Sequence, residues 1–220
     1  MSLNSRQKNE ASSNKLLWVA IGAVVLVAAA IAIGMSAGKG SNNPDYGTAA
    51  GEYQPVTVSN PPLPTLGDGA NDAAVGQQAP ALQGATFSGS AMSITPGGDG
   101  NSTMLVFLAH WCPHCNREVP RLVEWHDKGL VPKNLRVVGI TTSSRNDQAY
   151  WPPSEWIRNL KWPFEVMADS ETGQAAAAYG VDGFPFIAIM NSSGKVVARR
   201  SGEMELDQLV EFVNNALATN

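Results

Sequence analysis

The sequence predicts an α/β domain, a central mixed sheet flanked by helices, preceded by a single N-terminal transmembrane helix and a flexible linker. Three observations carry that expectation. Two apolar runs, "TMLVFLA" (Thr103 to Ala109) and "LRVVGIT" (Leu135 to Thr141), bracket a stretch of helical periodicity. This is a strand–helix–strand unit with parallel strands. "FPFIAIM" and "KVVARRSG" are separated by "NSSG" and read as an antiparallel pair around a turn, which makes the sheet mixed. Leu16 to Ala37 reads "LLWVAIGAVVLVAAAIAIGMSA", without a charge.

At ~1.5 Å per residue that last run reaches roughly 33 Å, enough to cross the hydrocarbon core of a bilayer. Arg6, Lys8 and Lys15 precede it, whereas Lys39 and then Asp45 and Glu52 follow. The positive-inside rule places the tail 1–15 in the cytoplasm and everything after Gly38 outside. A cleaved signal peptide has an apolar core of about 7–15 residues. The longer run here predicts a retained single-pass anchor in the cell membrane over 16–37, and no cysteine follows it to carry a lipid. From 38 to 74 the chain is rich in Gly, Ser, Asn, Pro and Thr. Few large apolar side chains are present to offset the entropy of ordering it, so this stretch reads as a flexible tether.

The folded domain is expected over 75–220. "ATFSGSAMSI" (Ala85 to Ile94) reads as a hairpin around Ser88-Gly89-Ser90, and "TMLVFLA" as a strand buried on both faces. The helix after it has Val119, Leu122, Val123 and His126 at helical spacing and Gly129 beyond its end. Ser154 is placed to cap a helix holding Trp156, Ile157 and Leu160. "FEVMA" (Phe164 to Ala168) is a short strand and "ETGQAAAAYG" a helix stopped by Gly180. Leu206, Leu209, Val210, Val213 and Leu217 form the stripe of a closing helix. Trp151, Trp156 and Trp162, with Pro152-Pro153, read as core and loop packing, with the rim of a partner-docking surface as the alternative. A net charge of -4 and a pI near 5.3, without a basic cluster, argue against nucleic acid as a partner.

Both cysteines of the chain, Cys112 and Cys115, lie in "LVFLAHWCPHC". As a structural staple they would close almost no chain, and crosslink stabilisation grows with loop length. As a metal site they offer, with His114, at most three local ligands, and no second cysteine or histidine pair completes a tetrahedral shell. The redox reading is favoured by position. Cys112 falls between a buried strand and the first turn of a helix, where free N–H groups and the helix dipole stabilise a thiolate. Cys115, one turn further in, is spaced to attack a mixed disulfide formed at an exposed Cys112.

Trp111, Cys112 and Cys115, with Pro120 eight residues after Cys112 and Pro185 in "VDGFPF", resemble the thioredoxin superfamily. Glu118 in "CNREVP" narrows the likeness to the membrane-anchored, extracytoplasmic TlpA/ResA-like branch, which carries an acid near its thiols. The resemblance covers about Val75 to the C-terminus. It implies a thioredoxin-like fold and a thiol-disulfide oxidoreductase that exchanges a Cys112–Cys115 disulfide with protein thiols, without cofactor or metal. Trp111, Pro113, His114 and Glu118 would support the thiols. Pro185 would sit in a cis-proline loop, with Phe184 beside it, against the substrate. The implied role is reduction of specific clients, for example in cytochrome c maturation, with electrons from a membrane dithiol carrier.

Two departures matter. Val106 stands where cytoplasmic thioredoxins carry a buried acid, which leaves Glu118 to move protons. Pro113-His114 is the dipeptide of DsbA-like oxidases, so a disulfide oxidase stays open as an alternative. So does a copper metallochaperone using Cys112, Cys115 and His114. No peroxidase nucleophile motif is visible.

Overall fold

The computed structural model describes residues 51–67 and 71–218. The expected cytoplasmic tail, the transmembrane segment 16–37 and the first part of the tether lie outside these residues. No helix among the described residues is long and apolar enough to cross a membrane.

Twelve elements follow in order among the described residues: β1 (Thr57–Ser59), β2 (Ala81–Ala85), β3 (Ala91–Ile94), β4 (Ser102–Leu108), α1 (Pro113–Asp127), β5 (Leu135–Thr141), α2 (Pro153–Asn159), β6 (Glu165–Ala168), α3 (Gln174–Ala178), β7 (Phe186–Met190), β8 (Val196–Ser201) and α4 (Leu206–Ala218). The strands form one mixed sheet in the order β1-β2-β6-β5-β4-β7-β8, with β3 paired to β2. β4 lies parallel to β5 and β7 antiparallel to β8, as the sequence predicts, and β4 also pairs antiparallel with β7.

All seven residues of β4 are buried, and their alternation explains the two-layered core. Met104, Val106 and Leu108 face a layer with Val119, Leu122 and Trp125 of α1, Trp156 and Ile157 of α2, and Leu209 and Val213 of α4. Leu105 and Phe107 face the opposite layer, where Ala175, Ala178 and Tyr179 of the α3 region pack with Val56 and Leu63. A strand covered on both faces needs the continuous apolar run the sequence shows.

Val56 and Leu63 belong to the stretch whose composition suggested a tether, and that expectation fails for its described part. β1 pairs with β2, Leu63 N–H donates to Ala178 O at 2.9 Å, and Leu66 N–H donates to Gly180 O at 3.1 Å. Arg199, buried in β8, donates to the Asp72 carboxylate and to the carbonyls of Pro64 and Tyr179. Two well-placed apolar side chains, worth about 1.5–3 kcal/mol each when buried, and these fixed partners outweigh the low mean apolarity. Gly180 shows how closely the strap passes: with φ +64, a Cβ there would lie 2.2 Å from Pro64 O.

Two helix readings are also corrected. Cys115, Glu118, Val119, Leu122 and Trp125 form the buried face of α1. His126, at equally good spacing from Leu122, is on the exposed side and pairs with Asp127. Ser154 is not the cap of α2. Pro152 holds that place, and Ser154 donates from both N–H and Oγ–H to the Glu52 carboxylate at 2.9 and 2.6 Å. An acid from the strap thereby caps the helix, satisfying first-turn donors that Pro152 cannot.

Candidate active site

The turn from β4 into α1 carries His110, Trp111 and Cys112. Cys112 has an extended backbone at the helix N-cap and Pro113 follows as the first helical residue, where its missing N–H costs nothing. Both cysteines are free thiols. The exposed attacker expected from sequence is more covered than that: Cys112 is 6% exposed and Cys115 0%. The cover over Cys112 is the Phe184–Pro185 segment, whose peptide bond is cis, with Phe184 O 3.5 Å from the Cys112 sulfur. Trp111 meets Phe184 edge-on at 6.3 Å and donates from Nε1 to Ser143 O at 2.8 Å. The structure thus brings Trp111, Cys112, Pro113, Phe184 and Pro185 together.

Burial pushes the Cys115 thiol far above its usual range, and the charges of Cys112 and Glu118 push it the same way. Glu118 lies on the buried face of α1, one turn beyond Cys115, and is 0% exposed. Its Oε2 accepts the Met204 N–H at 2.9 Å and lies 3.8 Å from Arg121. Its Oε1 has no hydrogen-bond partner among the described residues. Burial raises this carboxyl to about 7, against the opposing effects of Met204 N–H and Arg121.

His114 stands apart from this interior, with its side chain 58% exposed. Its Nδ1 lies 2.9 Å from both Glu203 Oε1 and Arg117 Nη2. Arg117, His114 and Arg121 together hold the Glu203 carboxyl well below the usual carboxylate range. That imidazole nitrogen is therefore occupied by surface partners. Among the described residues no three His, Cys, Asp or Glu side chains gather to hold a metal.

Sequence reading missed two supports. His110 is buried; its Nδ1–H donates to Ala149 O at 2.8 Å and its Nε2 accepts Arg145 N–H at 3.1 Å, which fixes the neutral tautomer. Burial lowers its pKa. Asn116 donates from Nδ2 to the carbonyls of His110 and Cys112, at 3.1 and 2.9 Å, and accepts Trp156 Nε1–H at 2.9 Å. The one signal for His110 was a polar ring at the end of an otherwise apolar strand; Asn116 gave none.

Residues 75–199 match the family described as AhpC/TSA. The chain belongs to the AhpC/TSA family. Among the relatives of this AhpC/TSA chain is "Sporulation thiol-disulfide oxidoreductase A" of Bacillus subtilis, 27% identical over 114 residues that cover 51% of this chain and 67% of the relative. "Thiol-disulfide oxidoreductase ResA" of Bacillus thuringiensis is 25% identical over 114 residues, 52% of this chain and 62% of the relative. The crystal structure of StoA from Bacillus subtilis matches with a TM-score of 0.50 at 25% identity, covering 64% of this chain and 98% of that one. The thioredoxin-like fold and the TlpA/ResA-like resemblance both hold. Within the AhpC/TSA family this chain is a thioredoxin-like thiol-disulfide oxidoreductase.

Proposed function

We propose that this chain is a membrane-anchored, extracytoplasmic reductant of selected protein disulfides. The buried Glu118, with one carboxylate oxygen unpartnered a turn beyond Cys115, carries the reading. Cys115 holds its proton tightly, so resolving a mixed disulfide requires a nearby base, and a carboxyl titrating near 7 is matched to that task. The Cys112 thiolate attacks a client disulfide and one client sulfur leaves as thiolate. Cys115 then gives its proton to Glu118 and attacks the Cys112 sulfur, expelling the second client thiolate. Two electrons pass to the client and the chain is left as a disulfide. A membrane dithiol carrier restores the pair. The anchor rests on the uncharged run 16–37 and the positive charges before it. Clients of this chemistry include exported cysteines awaiting haem in cytochrome c maturation.

The test is a Cys115→Ser trap in cells. It should accumulate mixed disulfides through Cys112 with a few exported proteins, while the wild-type pool rests as dithiol. A C-terminal reporter that works only when exported should be active on the full-length, membrane-bound chain. The Pro113-His114 dipeptide favours the second reading, a tethered oxidase. A resting pool held as disulfide, with secreted proteins under-oxidised on deletion, would establish that instead.

A further inference from the structure

Beside the thiols lies a groove of about 320 Å³ between α1 and α2, bounded by Asn116, Tyr150, Trp151, Glu155, Trp156 and Leu160. Its size is at the small end for a ligand site, suited to one or two side chains rather than a cofactor. Tyr150 is 61% exposed and Trp151 36%, two of the four large apolar side chains exposed among the described residues. Their display is built, not incidental. Tyr150 holds φ +63, a conformation costly for a bulky residue. The loop is fixed from beneath by His110 at Ala149 and Arg145, and by Trp111 at Ser143. From the strap, Tyr53 donates to Ser144 O at 3.0 Å and lies 6.1 Å from Trp151.

The groove carries one carboxylate of its own, and further acids lie around Tyr53 of the strap. Glu155 lines the groove and forms no ion pair among the described residues. Glu171, Glu52 and Asp147 are close enough to help raise the Tyr53 hydroxyl, after burial itself. Arg145 is engaged elsewhere, over the Trp111 ring at 5.4 Å. An exposed tyrosine ring and a partly exposed indole, beside a carboxylate without an ion pair among the described residues, suit a side chain with an apolar stem and a cationic head. The groove also adjoins the exchange site, because Asn116 both lines it and bonds Cys112 O. Four residues of helix advance about 6 Å, and extended chain advances about 3.3 Å per residue.

We propose that this groove is a client-recognition subsite for a lysine or arginine side chain, two or three residues from the client cysteine in an extended segment. The proposal rests on the oxidoreductase reading, so its test separates the two. The full chain, in lipid nanodiscs, is titrated against dye-labelled Gly/Ser peptides in which serine replaces the cysteine. Lys, Leu or Glu stands two or three residues to either side, and anisotropy reads binding without exchange. Lys peptides should bind about tenfold more tightly than Glu peptides on at least one side. Glu155→Gln should bring the two within about twofold, and Tyr150→Ala should weaken every peptide. Equal affinity for Lys and Glu, or a preference that survives Glu155→Gln, overturns the subsite. Reduction of glutathione disulfide by the wild-type chain reports on the thiols alone, so a failure there strikes the oxidoreductase reading and not the groove.

Discussion

Met204 donates its backbone N–H to Glu118 Oε2 at 2.9 Å, and this bond joins the loop before α4 to the acid beside the resolving thiol. The residue before it, Glu203, bonds His114, Arg117 and Arg121 on the surface of α1. One corner of chain therefore grips the same helix twice, outside at the dipeptide between the cysteines and inside at the buried carboxyl. Glu203 and Met204 gave no sign of this in the sequence, because the contacts span more than eighty positions.

Glu118→Gln should change the pH dependence of both stability and exchange. Burial raises Glu118 from its ordinary 4.5 to about 7, so the folded chain keeps a proton that the unfolded chain releases between those values. Its contribution is complete below 4.5 and is lost as pH rises through about 7, a swing on the order of 3 kcal/mol by linkage. Denaturant melts across this window should show the swing in wild type and not in the variant. The resolving step, followed by stopped flow, should lose its inflection near neutral pH.

The two thiols should differ sharply in reactivity. Cys115 is fully buried and its thiol is pushed far above the usual range, whereas Cys112 stands at the helix start. Alkylation of the reduced chain at pH 6.5, read by mass spectrometry of the peptides, should label Cys112 at least about tenfold faster. Faster labelling of Cys115 would reverse the assigned roles.

His110→Ala should loosen the 143–151 loop. The change leaves Ala149 O and Arg145 N–H without their partner, at a cost of about 1–3 kcal/mol for each group that stays buried. Burial depresses His110 below its ordinary 6.5, so its contribution is present above 6.5 and is lost as pH falls through the lower folded value. The protection of the Arg145 amide, the slowing of its exchange relative to the unstructured rate at the same pH, should fall on acidification in wild type and be low at every pH in the variant.

Arg199→Leu should detach the strap. The guanidinium is fully buried against Asp72 and two carbonyls, and removing one partner of such a pair costs about 3–5 kcal/mol. Thermal melts should show the loss, and proteolysis should open near Pro64. A variant as stable as wild type would mean the strap is held without this pair, by Val56, Leu63 and its other hydrogen bonds.

Features with local causes were legible in the sequence. Periodicity placed β4, α1, β5, β7, β8 and α4, because one covered face recurs every two or 3.6 residues regardless of what covers it. The placing of Cys112 at a helix start with Cys115 one turn further in was legible from local pattern, and the cis Pro185 by resemblance. Tertiary structure alone decided matters of partnership. It chose Trp125 over His126 for the interior of α1, although both are well spaced from Leu122. It gave the cap of α2 to Glu52 rather than Ser154, and folded a stretch of tether-like composition onto the sheet through Arg199. It also buried Glu118, turning an ordinary-looking acid into one that titrates near 7. Composition averages over neighbours in the chain, whereas desolvation and hydrogen bonding depend on neighbours in space, and these acids met theirs only after the fold had closed.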